Sequence, residues 1–273
     1  MKTVVLLTCH NRIKKTERCL RSLDDAGLDI SYVAVDDGST DGTGEMLRGF
    51  GREKGREMTV IKGNGDLYWA GGMRLAMRRA LDRDIKYDYV LLINDDVLFY
   101  EGALRRMIEY AGKRGRCCVT GAMNDRDGKG TYGGVRYDRT RVRAYRVGIT
   151  DSELVCDAAN MNAFLIPYPL FNELGAFDSH YRHRMADFDY SFEIGRHGCP
   201  IYLTDFYVGR CRLNVPKMRW ENNSLPGRIR LRLKESPKGL PAGEWFYYLK
   251  KNFGIRQALW NSVTPYIRIA FGK

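Results

Sequence analysis

The sequence has 273 residues, a formal net charge of +12, 44% hydrophobic and 12% aromatic residues, which fits one large α/β domain plus an extension and is cramped for two equal domains. No run approaches the ~18 consecutive apolar residues that cross a bilayer, so an integral membrane protein is not expected. Seven cysteines, odd in number and without a CxxC pair, argue against a disulfide framework or a zinc knuckle and predict a reducing, cytoplasmic setting.

In chain order, the apolar stretch at residues 3–8 is cut short by Cys9-His10-Asn11-Arg12 without a small-residue cleavage site, so it reads as a buried first strand over 4–7 rather than a signal peptide. Further strands are predicted at 32–35, 59–61 and 89–93, with crossover helices at 16–23, 42–47 and 73–81 and a fourth helix at 102–111. This alternation is that of βαβ units and a parallel sheet. Ligands of such sheets sit beyond the carboxyl ends of the strands, and those ends carry polar motifs here.

After strand 2 comes Asp36-Asp37-Gly38-Ser39-Thr40-Asp41-Gly42-Thr43, whose carboxylates serve either a strand-to-helix turn or a base and ribose. Gly63-Asn64-Gly65-Asp66 and Tyr68-Trp69-Ala70-Gly71-Gly72 feed a helix N-terminus, where backbone N–H groups can approach phosphate or sugar. Arg74 and Arg78 in that helix are read as solvated or as reaching a phosphate. Asn94-Asp95-Asp96 closes the most hydrophobic strand, where a hard divalent cation can bridge carboxylate and diphosphate, or where the residues cap the next helix.

Residues 123–150 lose the pattern and read as a hairpin or mobile loop, 156–167 resume buried character, and a helix is predicted over 187–196. Asp187 and Asp189 at its start suit either helix capping or a general base toward an acceptor hydroxyl. The four histidines lack metal-ligand spacing and read as surface or packing residues, with His10 beside the donor loop. Residues 214–273 hold twelve Lys/Arg against three Glu; segments 228–234 and 245–251 interleave cations with apolar and aromatic groups, which suits an anionic membrane interface or aromatics packed on the catalytic domain. The loop 236–241 is placed beside the acceptor site.

Together these elements resemble glycosyltransferase family 2, inverting enzymes of the GT-A fold, over about residues 3–213. Thr8-Cys9-His10-Asn11-Arg12 is similar to the family's opening T-x-x-N-R, 35–43 to its nucleotide motif, and Asn94-Asp95-Asp96 to its D-x-D variant. Gly175-Ala176-Phe177-Asp178 followed by Asp187-Phe188-Asp189 is similar to its G-x-F-D segment and downstream E-D-x-D element, with Ala186 in place of the Glu. The resemblance implies a mixed, mostly parallel sheet flanked by helices, with a catalytic domain over 1–214 (donor half to about 97, acceptor half from 98) and a basic helical extension over 215–273. It implies a nucleotide-diphosphate sugar as donor, held by Thr8, Asn11, Arg12, Asp36, Asp37, Asn64, Gly72 and Asp95. It further implies Mg²⁺ or Mn²⁺ on Asp96, Asp187 as catalytic base and Asp189 as support for the helix or acceptor.

The Gly-Gly pair after an aromatic is similar to rhamnosyl- and related transferases of surface polysaccharide assembly, with a saccharide or lipid-linked saccharide as acceptor and the inner membrane face as the place of work. No nucleic-acid partner is expected. A sugar-phosphate nucleotidyltransferase would show a G-x-G-T-R loop after strand 1, where Thr8-Cys9-His10-Asn11-Arg12 stands instead. A non-catalytic basic module would leave the acidic strand ends unexplained.

Overall fold

The computed structural model describes residues 1–82, 84–213 and 219–272. Apolar runs open the chain as parallel strands β1 (Lys2–Cys9), β2 (Asp29–Asp36), β3 (Met58–Lys62) and β4 (Tyr89–Ile93). They are near-continuously hydrophobic because both faces of the sheet are covered. Along β1, Val4 and Leu6 enter one core while Val5 and Leu7 enter the other, the two-residue period of a strand.

Helices α1 (Ile13–Leu23) and α2 (Thr43–Lys54) fill the second core with Leu20, Leu47 and Phe50, and α3 (Tyr68–Leu81) fills the first with Met73, Ala76 and Met77. All three helices are longer than the sequence predicts. In α3 the helix runs through Gly71-Gly72, where a Cβ on Gly72 would lie 2.2 Å from Thr8 Oγ1. The missing side chain lets α3 rest on β1 at the carboxyl end of that strand.

The second half adds β5 (Leu98–Phe99), α4 (Ala103–Gly112), β6 (Cys118–Asn124), β7 (Gly134–Asp138), β8 (Arg143–Arg146), β9 (Val155–Cys156), β10 (Ala158–Ala159), β11 (Ala163–Pro167), α5 (Tyr168–Leu174), α6 (Ala186–Arg196) and β12 (Ile201–Arg210). The main sheet runs β3-β2-β1-β4-β11-β6-β12-β5, with β9 also on β12. Strand β11 is antiparallel to both neighbours, so the sheet is mixed and mostly parallel, as expected. The 123–150 region resolves as the β7–β8 hairpin, which joins β10 in a separate three-stranded sheet.

The extension forms α7 (Gly227–Glu235), α8 (Ala242–Phe253) and α9 (Ile255–Ala270). The expected boundary at 214–215 lies outside the described residues. Beyond it, α8 is part of the first core: Tyr248 and Leu249 are fully buried with Phe192 and Ile194 of α6. The aromatic run 245–248 thus packs on the first core of the α/β sheet. Pro265 inside α9 cannot donate to the carbonyl of Asn261. That oxygen accepts instead from the Trp245 indole N–H at 3.1 Å and the Thr264 hydroxyl at 3.0 Å, which ties α9 to α8. Among the described residues no helix is long and apolar enough to cross a membrane.

Candidate active site

A cavity of about 690 Å³ opens at the carboxyl ends of β1, β2 and β4 and extends under the start of α6. It gathers Thr8, Arg12, Asp37, Asp95, Asp96 and Asp187 from the residues singled out in the sequence. Asn11, Asp36, Asn64 and Gly72 do not line it. Each of these four has a local partner: the Asn11 carboxamide accepts from Thr40 N–H at 2.8 Å, Asp36 from Ser39 N–H at 3.1 Å, and Asn64 from Asp66 N–H at 3.0 Å. Gly72 sits against Thr8, as described above.

Of the adjacent pair at the end of β2, Asp36 closes the turn and Asp37 faces the cavity. The Asp37 carboxylate also grips the β3–α3 loop, accepting from Gly65 N–H at 2.8 Å and Leu67 N–H at 3.0 Å. A Cβ at Gly63 would stand 2.5 Å from Asp37 Oδ1, so the glycine is what allows the loop to close on the carboxylate. With two N–H groups occupying only part of its acceptor capacity, Asp37 retains lone pairs toward the cavity.

Arg12 joins the next pair. Its Nη1 lies 2.7 Å from Asp95 Oδ1 and 3.2 Å from Asp96 Oδ2. Asp95 is buried and also accepts from the Thr16 hydroxyl at 3.3 Å; burial raises its carboxyl above the ordinary range, Arg12 opposes this, and the Asp96 charge adds to it. Asp96 has its side chain 27% exposed toward the cavity. Asn94 is spent on the Trp69 indole N–H, which donates to its Oδ1 at 2.8 Å. Neither Asp95 nor Asp96 caps α4, whose N-cap is Gly102.

Among the described residues no three His, Cys, Asp or Glu side chains form a metal cage. A cage is not what the smaller hard cations require: Mg²⁺ is commonly held by one or two carboxylates, with substrate phosphates and water completing its shell. Asp96, partly open to the cavity with Asp95 behind it, fits that mode, in which the nucleotide brings most of the ligands.

Asp187, at the first turn of α6, is half-buried in the cavity wall. Burial pushes its carboxyl up to about 6, while the Phe188 N–H at 2.9 Å and the Asn160 carboxamide at 3.4 Å hold it back. A carboxyl in that range is a proton acceptor matched to neutral pH. Asp189, two residues on, is buried and turned away: it accepts from Lys251 Nζ at 2.7 Å and Asn252 Nδ2 at 2.7 Å of α8. It supports the helix and does not line the cavity.

Among the described residues, three of the four positive φ angles at non-glycine residues lie at or beside the cavity, the fourth being Val142 in the β7–β8 hairpin. Tyr68 (φ 54) and Met185 (φ 68) line the cavity and Asn11 (φ 50) adjoins Arg12. Strained backbone of this kind concentrates at functional sites.

Several lining residues were not singled out from sequence. His183, lowered to about 4 by burial and then by Lys238 and Arg184, is a neutral imidazole whose Nδ1 accepts from Trp69 N–H at 3.4 Å. His180 stands three residues before it but stacks on Tyr247 and reaches Asp178 instead, so no local pattern marked His183 as a cavity residue. Lys238 reaches the cavity from the α7–α8 loop, the segment expected beside the acceptor. Arg74 does not line the cavity and is half-buried: its guanidinium donates to the carbonyls of Phe177 at 3.0 Å and Asp178 at 2.8 Å.

The family model described as Glycosyl transferase family 2 matches residues 4–165. Among solved structures, the mannosyltransferase PcManGT from Pyrobaculum calidifontis in complex with GDP-Man and Mn²⁺ superposes with a TM-score of 0.61 at 14% identity, covering 99% of this chain and 73% of that one. S. aureus TarS 1–349 in complex with UDP-GlcNAc gives 0.56 at 15%, covering 98% and 81%. GalNAc-T7 with UDP, GalNAc and Mn²⁺ gives 0.60 at 14%, covering 99% and 56%. At these identities the likeness is one of fold. No curated protein matches the chain at a significant level.

Proposed function

The chain belongs to glycosyl transferase family 2 and is a glycosyltransferase, and on that premise we propose that it is a metal-dependent, inverting enzyme. It moves a sugar from a nucleotide diphosphate to a saccharide, free or lipid-linked, in surface polysaccharide assembly at the cytoplasmic membrane face. The observation that carries this reading is the pairing, in one cavity, of Asp96 held beside Arg12 with Asp187 tuned to about 6.

The two carboxylates divide the work. Asp37, Thr8 and the β3–α3 loop receive the nucleotide at the strand ends. A divalent cation held by Asp96 and the diphosphate would stabilise the charge that develops on the leaving group. Asp187 accepts the proton of the acceptor hydroxyl as its oxygen bonds to the anomeric carbon and the bond from that carbon to the diphosphate oxygen breaks. A single displacement inverts configuration. PcManGT and GalNAc-T7, whose structures hold Mn²⁺, and TarS, whose structure holds UDP-GlcNAc, support a donor and cation of these classes. Lys238, Arg184 and His183 border the cavity near Asp187 in sequence or in space and are assigned to the acceptor side.

The test is a donor screen with Mn²⁺, reading release of free UDP, GDP or dTDP from nucleotide sugars by wild type, Asp96→Ala and Asp187→Asn. Release from one donor, abolished in Asp96→Ala, is expected, with an acceptor-dependent increase missing in Asp187→Asn. Absence of both release and calorimetric nucleotide binding across the panel would overturn the reading.

A further inference from the structure

Helix α9 turns Ala258 and Pro265 inward, against the rest of the chain. Its outer side carries Ile255, Leu259, Val263, Ile267 and Phe271, each four residues after the last and 48 to 75% exposed. Trp260 stands beside them at 73%. Residues four apart share a helix face, so the side chains form one stripe about 24 Å long at 1.5 Å per residue. Six of the ten large hydrophobics exposed among the described residues lie on this one element. Scattered exposed leucines need no explanation, but a continuous apolar band does.

The charges around the band identify what covers it. Helix α9 contains no Asp or Glu, and its Arg256 and Arg268 are exposed. Arg228 and Arg232 are exposed on α7, which packs against α9. A second copy of the chain would bring like charges together. An anionic lipid surface supplies the opposite charge and an apolar layer for the band, and tryptophan favours that boundary because its ring is apolar and its N–H polar.

We propose that α9 lies in the plane of an anionic phospholipid membrane, with Leu259, Trp260 and Val263 inserted at the level of the acyl-chain boundary and Arg256 and Arg268 on the lipid headgroups. The docking helix is joined to the base helix through α8: Trp245 holds the Asn261 carbonyl of α9, and Lys251 and Asn252 hold Asp189 of α6. The membrane contact and Asp187 are thus two ends of one packed unit.

Vesicle co-sedimentation of the full chain tests this without any substrate. Vesicles of phosphatidylcholine with about one third phosphatidylglycerol should pellet the wild type, pure phosphatidylcholine should not, and raising salt from about 0.1 to 1 M should release it. Leu259→Glu/Trp260→Glu should weaken binding about tenfold or more, and each of Arg256→Glu and Arg268→Glu by at least roughly fivefold. Far-UV circular dichroism and calorimetric binding of a nucleotide diphosphate should be unchanged in these variants, separating lost docking from lost folding. Wild type that stays in the supernatant with anionic vesicles overturns the proposal, as does equal pelleting of the Leu259→Glu/Trp260→Glu chain. A wild-type dimer by light scattering that the same variant converts to monomer also overturns it, assigning the band to self-association.

Discussion

Lys251 Nζ lies 2.7 Å from Asp189 Oδ2, where the lysine side chain is 27% exposed and the aspartate 4%. The bond connects α8 of the extension to the helix that carries Asp187. Lys251 also reaches Asp178 at 3.2 Å and Glu193 at 3.8 Å, so one ammonium serves three acidic residues, two of them on α6. Burial works against the charge on Lys251, yet the two aspartates raise its pKa above the ordinary value.

Lys251→Met should therefore destabilise the fold by about 2 to 3 kcal/mol, the cost of leaving a buried carboxylate without its cation, moderated by the remaining Asn252 bond. Urea denaturation of Lys251→Met, Asp189→Asn and the double variant forms the cycle that isolates the pair. The coupling should be favourable, and kcat should fall more than donor affinity because the helix, not the nucleotide pocket, has lost its anchor.

The pH dependence follows from Asp187, whose carboxyl burial pushes from 3.8 up to about 6. As a base it works only when ionised, so kcat should rise through about pH 6 and level off above it. Asp187→Asn should lower transfer about a hundredfold or more with donor binding retained.

The same shift makes a separate statement about stability. A carboxyl with a raised folded pKa favours the fold below its unfolded value and loses that contribution as pH rises through about 6. Asp187→Asn should melt above wild type near pH 8 and match it below about pH 4; equal melting temperatures at both pH values would contradict the burial of this group.

Asp96→Ala should remove the effect of Mn²⁺ on nucleotide binding. In calorimetry, Mn²⁺ is expected to tighten nucleoside-diphosphate binding to the wild type by about tenfold, or roughly 1.4 kcal/mol, and not at all in the variant. Mn²⁺ alone should bind weakly to either protein, since among the described residues no protein cage awaits it.

Gly72→Ala places a methyl group 2.2 Å from Thr8 Oγ1 and 2.9 Å from Thr8 Cβ. Overpacking of this kind costs about 1 to 3 kcal/mol, and donor affinity should fall because Thr8 lines the cavity. Adding Thr8→Ala relieves the oxygen but not the Cβ contact, so melting temperature should recover in part only.

The strand ends were legible because each polar motif follows a run of buried aliphatics, and a parallel sheet puts all such ends on one edge. Asp37 and Asp96 were therefore placed from order, whereas Asp187, at a helix start, came from the resemblance to the family's downstream acidic element. What sequence did not distinguish was which of two adjacent side chains faces the ligand, as with Asp36 and Asp37, because that depends on where the turn leaves the pleat. Strand β12 escaped notice since its alternation is broken by register shifts between Leu203 and Gly209. His183 and Lys238 come to the cavity through tertiary packing, which no local periodicity reports. The reading of 245–251 stayed open between membrane and core until Tyr248 and Leu249 were seen buried.

That burial also sets a timetable. Tyr248 and Leu249 complete the core around Phe192 and Ile194, so a chain emerging from the ribosome, N-terminus first, can pair β1, β2, β3 and β4 long before the helix bearing Asp187 acquires its final packing partners. The strand ends bearing Asp37 and Asp96 thus form early, and the helix bearing Asp187 must wait for α8. Without α8, the helix that bears Asp187 would lose the Tyr248 and Leu249 side of its core and the Lys251 and Asn252 bonds to Asp189, while the strand ends that bear Asp37 and Asp96 would keep theirs.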